Sequence, residues 1–198
     1  MTGLTRQERK ADTRMRIIKT AADMLQENGL DGLKTSQLAK AAGVAEGTIF
    51  SHFGNMEGVL FEVYKLEVQI TLQQAAQSMR ESTELWEGLE RYTRVIIEYY
   101  SQGTGPLIKR ILFTEGEVSD QIRAQVRELI GYVDIFLQGQ RDKKALKAEA
   151  NCFRLAHIYY SITLAHLIVG LRMETFPKED LIEHILFDFR IVMEGQMA

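Results

Sequence analysis

Apolar residues recur along most of the chain at helical spacing. Over 5–28 they fall at Ala11, Met15, Ile18, Ala22 and Leu25, in alternating steps of four and three, which places them on one face of an α-helix. Asn28-Gly29 predicts its end, because glycine accepts the left-handed conformation of a C-cap. A short helix is expected over 35–42, with Thr35 placed to cap it and Gly43 to stop it. Another is expected over 46–52. A longer one starts near Met56, capped by Asn55, and runs through Val59, Leu60, Val63, Leu66, Ile70 and Leu72 to about Arg80.

The rest of the chain keeps the same period. Helices are predicted over 84–101 (Leu85, Leu89, Tyr92, Ile96, Tyr99), 105–115 opening on Pro106, and 119–138 (Ile122, Val126, Leu129, Ile130, Val133). Two more follow over 143–173 and 178–194, the last carrying Leu181, Ile185, Leu186, Phe189, Val192 and Met193. Only two prolines, Pro106 and Pro177, interrupt the pattern. About nine helices and no convincing strand make an all-α protein.

Composition narrows the class. At 198 residues, 45% apolar and 26% charged, the chain has the balance of a soluble globular protein. Its length is ample for a real core without disulfide or metal staples. The single cysteine, Cys152, has no intramolecular partner and fits a reducing, cytoplasmic setting. The most apolar stretch, 155–171, carries two histidines and two tyrosines and reads as a buried helix rather than a membrane span. The N-terminal MTGLTRQERKADTR has charge with no apolar run behind it, unlike a secretory signal. Phosphate-binding, zinc-protease and nucleophile-elbow motifs are missing, and no nucleophile, base and orienter assemble, so an enzyme is not expected. His157 and His166 lie nine apart on different helix faces with no completing ligand, so neither metal nor cofactor is expected.

A net charge of −3 argues against nucleic acid as a partner. Its distribution reverses that argument. Residues 1–20 carry +4 through Arg6, Arg9, Lys10, Arg14, Arg16 and Lys19 against Glu8 and Asp12; residues 1–53 carry +2, and the remainder −5. The basic excess is local and N-terminal.

It adjoins the segment TSQLAKAAGVAEGTIFSHF, residues 35–53. Two helices crossing steeply with a short turn need a small residue where they touch, and Ala39 supplies it. The turn needs a left-handed position, which Gly43 accepts at no steric cost. Leu38, Ala42, Val44 and Ile49 fall where a shared small core is required. This is a helix-turn-helix pattern, with an ordinary αα-hairpin as the plainer alternative. In such a unit the second helix presents its N-terminal residues to base edges in the major groove. Here that surface is Ala45, Glu46, Gly47, Thr48, Ser51 and His52. Thr35 and Ser36 sit where a helix N-terminus meets phosphate. The basic arm could follow the backbone or the adjacent minor groove. Phe50 reads equally as a core aromatic or as a contact to a thymine methyl.

Residues about 10–60 resemble the DNA-binding domain of the TetR family of bacterial transcriptional regulators. The resemblance is carried by Ile17-Ile18-Lys19-Thr20-Ala21-Ala22, Asn28-Gly29-Leu30, Thr35-Ser36-Gln37-Leu38-Ala39 and Ala42-Gly43-Val44. It is densest in Gly47-Thr48-Ile49-Phe50-Ser51-His52-Phe53. Two positions depart from the family pattern: Met56 stands where a lysine is frequent, and Glu46 where a basic or neutral residue is usual. The resemblance implies a helix-turn-helix domain over 1–55 and a helical effector-binding and dimerisation domain over 56–198. It also implies a double-stranded, palindromic DNA operator, a homodimer through the last two helices, and a small-molecule effector that releases a repressor. Aromatic and polar-tipped residues on inward faces of the body, Trp86, Tyr99, Phe113, Phe136, Tyr159, Tyr160 and His166, are candidates for the effector site, with ordinary core as the plainer reading of each. A constitutive DNA-binding protein with no effector is the rival reading.

Overall fold

The computed structural model describes residues 5–101, 120–173, 175 and 177–198, and the side chains of all of these except 120–122. Its helices are α1 (Arg6–Asn28), α2 (Thr35–Ala42), α3 (Glu46–Phe53), α4 (Met56–Arg80), α5 (Leu85–Ser101), α6 (Asp120–Asp142), α7 (Cys152–Gly170) and α8 (Lys178–Met193). Among the described residues there is no strand, only an isolated antiparallel bridge between Leu146 and Met197. The all-α expectation holds. The helix expected over 105–115 lies outside the described residues.

Local chemistry sets the helix ends. Thr5 caps α1 reciprocally: its backbone N–H donates to Glu8 Oε2 at 2.6 Å, and its Oγ1 accepts from the Glu8 N–H at 3.2 Å. These bonds lower the Glu8 pKa below the ordinary carboxylate value. Gly43 closes α2 in the left-handed conformation at φ 64°, and its N–H reaches the carbonyls of Ala39 and Lys40. Asn55 Oδ1 accepts from the Gly58 N–H at 2.8 Å and starts α4.

Three expectations are corrected. Thr35 is not the cap of α2: Lys34 holds that position with no side-chain bond, and Thr35 is the first helical residue. The buried stripe of α1 is Ile17, Ile18 and Ala21, while Ala11 and Met15 are exposed. Both precede the stretch of α1 that meets the core, so periodicity there has nothing to bury. The expected 143–173 helix begins only at Cys152, where Asn151 Oδ1 accepts from the Arg154 N–H at 3.0 Å. Upstream, Lys144 takes φ 63°, and the Lys147 N–H donates to the Gln196 carbonyl at 2.9 Å. That backbone partner lies 49 residues further on, beyond the reach of any local pattern.

The chain divides into two compact units, the boundary falling inside α4 between Glu67 and Val68. The first unit packs α1, α2, α3 and the start of α4 around Ile17, Ile18, Ala21, Leu38, Ala39, Ala42, Ile49, Val59 and Val63. In the second, α5 packs on α8, α8 on α7, and α7 on α6. Its largest fully buried side chains include Tyr92, Tyr159, Phe189, Leu89, Ile97 and Leu137. α7 is long and apolar enough to cross a membrane, at mean hydropathy 1.3. Its Leu155, Ala156, Tyr159, Thr163 and Leu167 are instead buried in this core.

Candidate nucleic-acid interface

The first unit builds its outer surface from what its small core leaves over. Leu38, Ala39, Ala42 and Ile49 are at most 4% exposed, so the helix-turn-helix core expected from the sequence is in place, with Val44 half-buried against it. Ala39, the small residue expected where the helices touch, is buried in that core. Ile49 is the one buried residue of α3. Every other position of that eight-residue helix is exposed or half-buried. Glu46, Gly47, Phe50 and Ser51 are exposed, Thr48 and His52 half-buried. Phe50 is 49% exposed, which removes the core-aromatic alternative and leaves it a surface group. No atom lies within 4 Å of where a Cβ on Gly47 would stand, so backbone there is open to a close-fitting partner.

Ala45 caps α3 through its backbone, its carbonyl accepting from the Thr48 N–H at 2.9 Å. Ser51 Oγ donates to the Thr48 carbonyl at 2.8 Å. Thr35 is half-buried and Ser36 exposed in the first turn of α2, where backbone N–H groups lack intrahelical partners. The surface thus offers hydroxyls, open backbone and one apolar ring, the groups suited to base edges, phosphates and thymine methyls.

His52 differs from the rest. Its Nδ1 is buried without a hydrogen-bond partner. Burial, then Lys10 and Arg14 nearby, push its pKa below the usual imidazole range.

Arg14 is the residue that charge counting misread. Grouped with the basic arm, it turns inward. Its Nη1 donates to the His52 carbonyl at 2.5 Å, its Nη2 lies 3.1 Å from Glu62 Oε1, and its guanidinium carbon sits 4.5 Å from the Phe53 ring centre. The signal was available: Arg14 stands three, four and seven residues before Ile17, Ile18 and Ala21, on the buried face of α1. Met56, where the family pattern favours lysine, packs half-buried against the same small core.

In the second unit the effector candidates scatter. Phe113 lies outside the described residues. Tyr159 is core: its hydroxyl lies 2.5 Å from Thr93 Oγ1, and burial raises its pKa to about 12. Trp86 has the Arg190 guanidinium carbon over its ring at 4.3 Å and meets Phe189 edge-on, with ring centres 6.4 Å apart. His166 Nε2 pairs with Asp188 Oδ2 at 2.8 Å. Tyr160 is half-buried, and burial raises its pKa. Phe136 lines a cleft of about 200 Å³ with Met79, Ser82 and Gln140. Tyr99 lines a separate groove with Thr71, Arg94 and Glu98. These two concavities do not unite the candidates into one site. Cys152 is buried, its thiol donating to the Ala150 carbonyl at 3.7 Å, and burial pushes its pKa up, away from a reactive thiolate.

Residues 17–63 match the family model for bacterial regulatory proteins of the tetR family. The chain is 26% identical over 126 residues to the fatty acid metabolism regulator protein of Bacillus subtilis, an alignment covering 61% of this chain and 62% of that protein's length. A TetR-family transcriptional regulator from Pectobacterium atrosepticum superposes with a TM-score of 0.76 at 16% identity, covering 98% of both chains. FadR from Thermus thermophilus, a TetR-family repressor solved with lauroyl-CoA, superposes with a TM-score of 0.66 at 20% identity, over 93% of this chain and 95% of that one. The motif and the family model together give residues 17–63 as a DNA-binding domain of the tetR-family type, and the chain as a whole is similar in fold to TetR-family regulators.

Proposed function

We propose that this protein is a dimeric, sequence-specific DNA-binding repressor released from its operator by an amphipathic effector of the fatty acyl thioester class. The observation that carries the DNA-binding half is the outer face of α3. Its single buried residue, Ile49, leaves Glu46, Gly47, Phe50 and Ser51 exposed, with Thr48 and His52 half-buried. On this reading Thr35, Ser36, Ala45, Glu46, Gly47, Thr48, Phe50, Ser51 and His52 form the interface, and residues 1–55 are the DNA-binding domain. Residues 56–198 bind the effector and the second subunit.

The dimer reading draws support from the last two helices. Phe153 and Val169 on α7 are 57% and 61% exposed, and Phe187 and Ile191 on α8 are 60% and 55% exposed. Large apolar side chains gathered on two sequential helices suit a self-complementary two-fold contact. A two-fold dimer in turn suits a palindromic operator with half-sites in successive major grooves. The effector class rests on relatives: one is a fatty acid metabolism regulator protein, and one was solved with lauroyl-CoA. Ligand and operator would then weaken each other's binding by the same factor, roughly 5- to 150-fold.

Selection from a random duplex library with the purified full chain, followed by anisotropy titration of the enriched sequence with and without lauroyl-CoA, tests both halves. An enriched palindrome bound more weakly in lauroyl-CoA is the expected result. Failure to enrich any sequence ends the DNA-binding reading. Unchanged affinity at saturating lauroyl-CoA ends the effector reading and favours a constitutive binder.

A further inference from the structure

We propose that Arg14 is the positioning residue of the recognition helix, fixing the C-terminal end of α3 to α1 and α4 without itself touching DNA. The inference rests on the DNA-binding reading of α3. A helix of eight residues leaves its last carbonyls without intrahelical partners, and α3 is anchored to the core by only two apolar side chains, buried Ile49 and half-buried Phe53. Arg14 meets the exit of α3 three ways. It donates to the His52 carbonyl at 2.5 Å, lies over the Phe53 ring at 4.5 Å, and pairs at 3.1 Å with Glu62, one and a half turns into α4. Glu62 also takes Lys65 at 2.5 Å, so its carboxylate is itself held in place. The guanidinium alone supplies this geometry. It is planar, stacks on a ring, and donates in two fixed directions at once, where an ammonium offers one compact charge. The His52 side chain next to this carbonyl belongs to the DNA-facing set, so displacement here moves contact groups directly.

The competing role for Arg14 is a phosphate contact, as its place in the basic N-terminus suggests. The two roles separate under Arg14→Lys and Arg14→Met. A phosphate contact survives as lysine; on loss to methionine it weakens operator and random DNA together and reduces the salt slope by about one. A positioning residue does neither.

The expected result is that both variants bind the selected operator about tenfold or more weakly, the effect of losing a charge-assisted hydrogen bond. Random-duplex affinity and the log–log salt slope should stay at wild-type values. Without DNA, hydrogen exchange should quicken at the α3 amides while those of Ile17, Ile18 and Ala21 hold their protection. Glu62→Gln, which keeps an acceptor but drops the charge, should fall between wild type and Arg14→Met, and serves if Arg14→Met does not fold. Wild-type operator affinity in Arg14→Lys, a smaller salt slope in Arg14→Met, or unchanged α3 exchange in both overturns the proposal. If the wild-type chain enriches no DNA sequence, the functional reading fails on its own, and the exchange measurement still decides whether Arg14 positions α3.

Discussion

At the scale of single residues, two glycines of the first unit separate packing from recognition. A Cβ at Gly58 would overlap the Phe53 carbonyl oxygen, a backbone atom that cannot swing aside. Gly58→Ala should therefore cost roughly 1–3 kcal/mol of stability, read from urea unfolding, because the α3–α4 junction must shift. At Gly47 nothing lies within 4 Å of the added methyl, and alanine is the better helix former. Gly47→Ala should leave the unfolding midpoint at or above wild type while weakening operator binding, since the methyl projects from the proposed contact face. Equal operator affinity would remove Gly47 from that face. His52 adds a pH dependence. Its folded-state pKa is depressed below the ordinary 6.5 by burial, then by Lys10 and Arg14. The unfolded chain then binds the proton more readily, so this group's share of stability is full above about pH 6.5 and is lost as pH falls below it. Melting temperatures followed from pH 7.5 to 5.5 should drop more steeply for wild type than for His52→Gln.

At the scale of elements, what could be read in advance depended on how local the determining chemistry was. α2 and α3 came through nearly whole, because Ala39, Gly43 and Ile49 act within a few residues of where they stand. The starts of α1 and α4 rest on Thr5 and Asn55, which bond three residues ahead. The start of α7 was missed because the segment before it is tied to the distant C-terminal residues Gln196 and Ala198 as well as to its neighbours. The effector candidates failed to gather for a related reason. Aromatic residues on inward faces are equally what a core requires, and Tyr159 is core. The Thr93–Tyr159 pair gives α5 and α7 a shared buried hydroxyl contact, and Tyr159 titrates near 12 against an ordinary 10. An acid whose folded pKa is raised contributes fully below the unfolded value, and that contribution is lost as pH rises from about 10 to 12. A two-unit shift corresponds to about 3 kcal/mol. Denaturant unfolding between pH 9 and 12 should show this loss in wild type and a shallower decline in Tyr159→Phe, which has no proton to release.

At the scale of the whole molecule, the sign and placement of charge decide how selective the protein can be. A +2 head and a −5 remainder leave little attraction for random duplex, and Arg14 is already paired with Glu62. Glu46 reduces that attraction further. It is exposed in the first turn of α3, the only acid there, and Ala45 before it provides no side-chain cap. A carboxylate at that end complements the helix dipole, worth roughly 0.3–1 kcal/mol. On the proposed interface the same charge would face phosphates. Glu46→Gln should lower stability by about that amount, raise random-duplex affinity severalfold at low salt, and leave the ranking of operator variants unchanged. Titrations at several salt concentrations against the selected operator, its single-base variants and random duplex would read all three quantities. A specific loss at one guanine–cytosine position would instead assign Glu46 to a cytosine N4 amine, where the carboxylate accepts a hydrogen bond. In the first case the acid keeps the protein off the wrong DNA through repulsion, and recognition rests on the hydroxyls and open backbone beside it.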